Sequence, residues 1–149
     1  MINILYLHAG SEMYGADKVL LELVSGLDKQ KFHPIIILPS EGVLAVALRK
    51  RDIEVHIVSY PILRRKYFNL QGILKYTSGY FKATNQIYKI VRNRKISLLH
   101  VNTVAVLEGI ALKRKLKVPL IWHVHEIITT PKIIYKVTSM LLGRYADQV

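Results

Sequence analysis

The sequence predicts an α/β domain of the doubly wound kind, and three observations carry the prediction. Short apolar runs alternate along the chain with longer stretches whose apolar residues recur at three- and four-residue spacing. The runs are apolar nearly throughout, as in strands covered on both faces by helices. Apolar residues make up 51% of the 149 positions, enough for one domain with one core.

The elements follow in order. Ile2 to Leu7 is the first apolar run, ended by the small and polar stretch His8-Ala9-Gly10-Ser11. Val19, Leu20, Leu23, Val24 and Leu27 then fall at helical spacing, with Gly26 and Asp28 near the end. His33-Pro34 leads into the strand Ile35-Ile36-Ile37-Leu38, which Pro39 stops. Ser40-Glu41-Gly42 opens a short helix carrying Val43, Val46, Ala47 and Leu48, and Glu54 to Val58 reads as a third strand. Residues 59–71 form a loop with Pro61. Ile73, Tyr76, Tyr80, Phe81, Ile87, Tyr88 and Val91 mark a long amphipathic helix whose aromatics are expected in the core. Ile96 to Val101 is a strand, 104–115 a helix, Leu120 to Val124 a strand and 132–146 a helix. Asp147-Gln148-Val149 begins another strand, so the domain is expected to stop short of its last strand. Strict alternation implies parallel pairing through helical crossovers. The expected architecture is a Rossmann-like doubly wound parallel sheet flanked by helices, one domain over 1–149.

Several classes are set aside by composition. No run reaches the ~18 apolar residues of a spanning helix. Met1-Ile2-Asn3-Ile4-Leu5 lacks a basic segment and enters a strand directly, unlike a signal peptide. With no Cys there is neither a disulfide framework nor a thiolate metal site, and a cytoplasmic protein is the expectation. Charge is the outstanding bulk property: 22 Lys+Arg against 10 Asp+Glu, a net +12. No acid occurs between Glu54 and Glu108, whereas Arg64, Arg65, Lys66, Lys75, Lys82, Lys89, Arg92, Arg94 and Lys95 do. Such asymmetry points to an anionic partner, with a merely solvated surface as the alternative. Nucleic acid would call for aromatics interleaved with the basic residues, and Tyr76, Tyr80, Phe81 and Tyr88 instead repeat at helical spacing, so none is expected. Tyr67 and Phe68 directly follow Arg64-Arg65-Lys66, a pattern suited to the headgroup region of an anionic membrane, with Lys75 beyond it.

Ligands of such sheets bind beyond the C-terminal strand ends, where the strand order reverses. Three segments land there. Gly10 to Asp17 follows the first strand, and Gly15 permits close backbone approach at a helix start that favours an anion or a sugar hydroxyl. It is neither a dinucleotide fingerprint nor a P-loop, and a glycine-eased turn is the plain alternative. Asn102 and Thr103 end the fourth strand and offer donors and acceptors to a polyol, or else cap the helix from 104. Trp122-His123-Val124-His125-Glu126 ends the fifth; alternation puts His123 and His125 on one face. One of the two is expected to be structural and the other to touch a ligand. No third zinc ligand lies at helical spacing, so no metal is expected.

Taken together, these segments resemble the N-terminal domain of retaining GT-B glycosyltransferases of family 4, which build polysaccharides, lipopolysaccharide and glycolipids. Gly15-Ala16-Asp17-Lys18-Val19-Leu20 is similar to the family's Gly-Gly-Ala-Glu-Arg helix opening, with Tyr14 in place of the first glycine and Asp17 in place of Glu. Leu98 to Thr103 is similar to its apolar-His-Val-Asn strand, and Lys117 to Glu126 to its Gly-Ile-Pro…His-(Glu/Asp) segment. The resemblance implies that Gly15 and Tyr14 lie at an interdomain cleft and that His125 contacts the transferred sugar. It also implies that Asn102, Thr103 and Glu126 serve substrate binding. It further implies a nucleotide-sugar donor held by a C-terminal domain absent from this sequence, a glycan or lipid-linked acceptor, and no cofactor. On its own the domain is then expected to be inactive. Two other readings share some of these features: half of a GT-B sugar-nucleotide epimerase, and a non-enzymatic basic module binding membranes. A phosphoacceptor receiver is excluded, because the first strand ends in His8-Ala9-Gly10 without an acidic cluster.

Overall fold

Among the described residues five strands and five α-helices follow the predicted alternation: β1 (Ile2–Leu7), α1 (Gly15–Ser25), β2 (Phe32–Leu38), α2 (Val43–Arg49), β3 (Glu54–Ile57), α3 (Leu70–Val91), β4 (Ile96–Val101), α4 (Glu108–Leu116), β5 (Leu120–Trp122) and α5 (Lys132–Tyr145). The computed structural model describes residues 1–125 and 131–149, so Glu126 lies outside the described residues. All strand pairs are parallel, in the order β3-β2-β1-β4-β5. The chain builds outward from β1 to β3, then crosses back to place β4 on the other side of β1. The reversal between β1 and β4 opens a crevice beyond their C-terminal ends.

Each face of the sheet has its own core. Leu20, Leu21 and Val24 of α1 and Leu44, Ala45 and Leu48 of α2 pack on Ile4, Tyr6, Ile36 and Leu38. On the opposite face Ala83, Ile87 and Val91 of α3, Leu112 of α4 and Leu142 of α5 pack on Leu5, Leu7, Ile35, Ile37, Leu99 and Val101. Adjacent strand residues point to opposite faces, so a central strand covered by helices on both sides must be apolar at every position. This is why β1 and β2 show no hydrophobic alternation. Gly109 lets α4 sit directly on β4, since a Cβ there would lie 2.5 Å from Val101 Cγ2.

The structure corrects several expected boundaries. β2 begins at Phe32 and runs through Pro34; β3 pairs only from Ile35 onward, so the missing N–H falls where one side carries no ladder. β5 stops at Trp122, because its partner β4 ends at Val101. α3 starts at Leu70 rather than after 71, capped by Asn69, whose side chain accepts from Gly72 N at 2.8 Å. The helix expected from 104 begins at Glu108. Val104 and Val106 are buried instead in the core below the loop after β3, and Leu63 N donates to Ala105 O. Some helix faces also differ. Val19, Leu23, Val43 and Val46 are exposed, and so are Ile73 and Phe81, both expected in the core. After α5 the strand-like ending is a single bridge, Gln148 beside Ile121.

Candidate functional site

β1 and β4 run side by side in the register Tyr6↔His100 and Leu7↔Val101. Alternation then sends Tyr6 and His8 of the first strand, and His100 and Asn102 of the fourth, to the same face. The result is a line of polar side chains at the strand-order reversal. Tyr6 stacks on His100 at 4.9 Å, His100 lies 5.8 Å from His123, and the rings of His123 and His125 pack together at 4.0 Å. Burial, and after it the neighbouring rings of His123 and His125, hold the His100 imidazole down to about 4. That ring is therefore neutral at physiological pH and serves as packing.

Beyond His100 the line becomes a hydrogen-bonded chain. His8 Nε2 lies 2.5 Å from Asp17 Oδ1, the Asn102 amide nitrogen lies 3.1 Å from His8 Nδ1, and His125 Nε2 lies 3.1 Å from Asn102 Oδ1. His8, Asp17 and Asn102 are all buried. Asp17 sits in the first turn of α1 and accepts from Met13 N at 2.8 Å and from Tyr14 N at 2.7 Å. Burial pushes its carboxyl up, but the bond to His8 and the two amides outweigh this and bring it down to about 2. Those amide bonds hold Met13 at φ 114°, a conformation costly for a residue with a Cβ. Gly10 must be glycine here, since a Cβ would come within 2.6 Å of Asp17 Oδ1.

Over this base lies an open cavity of about 740 Å³, reached from the ends of β1, β2 and β3. His8 and Asp17 form part of its floor; Ser11, Tyr14, Ser40 and Ser59 bring hydroxyls, and Arg64 and Lys66 bring positive charge. Ser11 and Ser40 hydroxyls lie 2.8 Å apart, joining the loops after β1 and β2. Tyr60 closes the wall: it is buried and its hydroxyl donates to the His8 carbonyl and, at 3.1 Å, to Ile37 O.

The predicted site residues divide accordingly. Tyr14 is exposed at the cavity rim, and a Cβ on Gly15 would meet nothing within 4 Å, so the backbone there is open to a ligand. Thr103 lines the cavity, its hydroxyl accepts from Ala105 N at 3.2 Å and its carbonyl accepts from Trp122 Nε1 at 2.7 Å. Asn102 does not present itself to a ligand; it is fully buried, with its amide bonded to His8, His125 and Ala16 O. Neither residue caps a helix at 104. The basic cluster is split: Arg64 and Lys66 line the main cavity, whereas Lys75 borders a separate shallow cleft with Lys66 and Tyr67, and Arg65 lies exposed in a 3-10 turn, Arg65–Tyr67. His8 and Asp17 were not singled out from sequence as site residues. The signal for His8 was its place at the end of the central strand, one alternation step after Tyr6. Among the described residues no group of three His, Asp or Glu could hold a metal ion.

One buried acid stands apart from this network. Glu108, at the start of α4, is fully buried, and neither carboxyl oxygen gains a hydrogen bond. Burial raises its carboxyl to about 8, tempered only in part by the nearby backbone N–H groups of Glu108 and Leu107, whose geometry falls short of a hydrogen bond. Its charge would also oppose ionisation of Tyr60, Tyr76 and Tyr80, all of which burial already raises.

With this geometry in place, the model of glycosyltransferase family 4 matches residues 13–149. The chain belongs to glycosyltransferase family 4. A search among curated proteins finds no match. Among solved structures, this family 4 chain is similar to Anabaena Alr3699/HepE in complex with UDP, at 17% identity and TM-score 0.72, over 97% of this chain and 36% of that one. It is likewise similar to Acinetobacter baumannii MurG (17% identity, TM-score 0.68, 99% and 40%) and to CalG4, the calicheamicin glycosyltransferase (15%, 0.64, 97% and 42%). The chain therefore spans well under half the length of these proteins, and the likeness places its fold with one half of the GT-B glycosyltransferases. No helix among the described residues is long and apolar enough to cross a membrane.

Proposed function

We propose that this chain is the acceptor-side half of a retaining glycosyltransferase that moves a sugar from a nucleotide-sugar donor to a glycan or lipid-linked acceptor, in cell-surface polysaccharide or glycolipid synthesis. The observation that carries the reading is the open, hydroxyl-lined cavity at the strand-order reversal of a family 4 chain. Ser11, Ser40, Ser59 and Tyr14 provide the mixed donors and acceptors that a polyol needs. His125, joined through Asn102 to the His8 of the cavity floor, contacts the transferred sugar in this reading, while Arg64 and Lys66 receive an anionic group of the acceptor. The nucleotide is held by a second domain outside these residues. HepE crystal structures contain UDP, UDP-glucose, or UDP with glucose, which supports a nucleotide sugar as the donor class.

The same reading seats the domain on an anionic membrane face from the cytoplasmic side. Leu70, Ile73, Leu74 and Phe81 are exposed along α3, next to the Arg64–Lys66 triplet and Lys75. Apolar side chains among cations are the composition of an interfacial anchor. Calorimetry of the isolated chain against UDP-, GDP- and ADP-sugars tests the division of labour. No tight binding is expected, and micromolar affinity for any of them would put the donor site within these residues and refute the reading.

A further inference from the structure

We propose that the acceptor is a lipid phosphosugar, in which an apolar chain is joined to the sugar through a phosphate, rather than a free glycan or a neutral glycolipid. This rests on the reading that the main cavity receives the acceptor. Three kinds of surface follow one another at the edge of that cavity, and their order names the rest of the molecule.

The first surface is the interior with the hydroxyls of Ser11, Ser40 and Ser59. The second is the basic turn in its wall, which contributes Arg64 and Lys66. Among the described residues no carboxylate forms an ion pair with either cation, Glu12 of the same lining included. Lys66 and Tyr67 also line the neighbouring cleft of about 280 Å³, together with Gln71 and Lys75 of α3, so the two hollows share this turn. The third surface begins beside it. Leu70, Ile73 and Leu74 are 78%, 53% and 64% exposed, and Phe81 is exposed two turns further on. Their spacing sets them on one stripe of α3, about 16 Å long at about 1.5 Å per residue. Exposed Lys75 and Lys82 run alongside it.

Packing fixes this order. Gly72 brings the first turn of α3 against the basic turn, since a Cβ there would lie 2.7 Å from Tyr67 Cα and 2.8 Å from Lys66 O. Asn69 ties the join, accepting from Gly72 N at 2.8 Å and donating to Lys66 O at 3.3 Å. The Tyr67 ring meets Tyr76 of α3 edge-on at 5.2 Å, and Lys66 Nζ lies 5.1 Å from the Tyr67 ring centre. A neutral glycolipid would leave the two cations unmatched. An acidic glycan would match them but gain nothing from Leu70, Ile73 and Leu74. A sugar followed by a phosphate and then an apolar chain meets all three surfaces in turn, and the guanidinium fork suits phosphate geometry. The cavity, at about 740 Å³, is of the size that encloses one compact ligand, so the sugar portion is short and the phosphate lies close to it. With the stripe seated in a bilayer, the chain of the acceptor lies in the same leaflet beside α3.

NMR titration of the 15N-labelled chain with soluble probes, below their micelle concentration and without vesicles, separates the contributions. The probes are farnesyl phosphoglucose, glucose 1-phosphate without the chain, farnesyl glucoside without the phosphate, farnesyl phosphate without the sugar, and trigalacturonate as an acidic glycan. Farnesyl phosphoglucose should bind at least about fivefold more tightly than farnesyl glucoside, the effect of one engaged cation. It should exceed glucose 1-phosphate by more than about tenfold, since each buried methylene contributes about fourfold. Lys66→Gln should remove the first advantage, and Ile73→Ser with Leu74→Ser the second; all three positions are exposed, so the fold should persist. Equal affinity with and without the chain, or with and without the phosphate, would overturn the proposal. So would advantages that survive these substitutions, or trigalacturonate binding more tightly than farnesyl phosphoglucose. Farnesyl phosphate should shift the amides of Lys66 and Leu74 without those of Ser11 and Ser59. If it does so while no sugar-bearing probe shifts Ser11, Ser40 or Ser59, the acceptor reading of the cavity fails and the lipid-phosphate surface stands. If sugars enter the cavity with no gain from phosphate or chain, the acceptor reading stands and the present proposal fails.

Discussion

Replacing Glu108 with Gln should stabilise the protein at neutral pH and leave it nearly unchanged in mild acid. The carboxyl is fully buried without a hydrogen-bond partner and is raised to about 8, against the ordinary 4.5. A raised carboxyl means that the folded chain holds a proton which the unfolded chain releases. The carboxyl therefore has no ionisation penalty below pH 4.5, and stability falls as pH climbs from there toward 8. The fall is about 1.4 kcal/mol per pH unit, reaching about 3 kcal/mol at pH 7 and about 5 kcal/mol once pH exceeds the folded value. Gln has nearly the shape of the neutral acid and does not titrate. Urea unfolding of both chains at about pH 5, 6, 7 and 8 isolates the effect, because other titrating groups cancel in the difference. With a slope of about 2 kcal/mol per molar urea, the Gln chain should unfold about 1.5 M later at pH 7. A difference that stays constant from mild acid to pH 8 would refute the reasoning, since it would mean that the carboxyl is ionised in the fold throughout.

Two further expectations follow from packing and from surface chemistry. Gly109→Ala should lower the melting temperature despite its better helix propensity, because the new Cβ meets Val101 Cγ2 at 2.5 Å; overpacking of about 1–3 kcal/mol outweighs a propensity gain of about 1 kcal/mol. Gly143→Ala in α5, where a Cβ meets nothing within 4 Å, should instead raise it, and thermal melts showing the same sign for both would contradict the packing argument. Binding to vesicles in co-sedimentation should rise with anionic lipid and fall with salt, at about 1 kcal/mol per engaged cation. It should weaken in an Arg64→Glu, Arg65→Glu, Lys66→Glu chain, and equal recovery on neutral and anionic vesicles would count against the membrane reading.

The alternation of strands and helices was legible because the inner strands β1 and β2 are covered by helices on both faces and show as largely apolar runs, while the edge strand β3, Glu54-Val55-His56-Ile57, shows as an alternation. The gaps between those runs were legible for the same reason, but of the loops that line the cavity only those after β1 and β4 were expected to meet a ligand; those after β2 and β3 were not. Helix faces were less so. On α1 and α2 a Val at an exposed position looks the same in sequence as one in the core, and only the packing of Leu20, Leu21, Leu44 and Leu48 on the sheet tells them apart. Phe81 misled in the same way: it lies two turns before Tyr88, which packs partly buried against the core, yet it faces outward on the long helix. The hydrogen-bonded base was not readable, because it depends on register. His8 and Asn102 are far apart in the chain and meet only because β4 lies beside β1 with Leu7 opposite Val101. Glu108 gave no signal at all; in a chain with few acids, a lone glutamate at a helix start looks like favourable dipole chemistry at a solvated helix end.

The cavity wall is assembled from separate loops: the residues after β1, Pro39 and Ser40 after β2, Ser59 to Tyr67 after β3, and Thr103 after β4. No single segment supplies the whole lining, and each returns to a strand or helix whose packing is independent of the loop's length. Recognition can accordingly be revised piecemeal. An insertion between Ser59 and Asn69 would reshape one side while β3 and α3 keep their places, whereas an exchange at Ser40 would also reach the loop that carries Tyr14, through the Ser11 hydroxyl. Such a scaffold lets the cavity lining change by small steps over an unchanged floor.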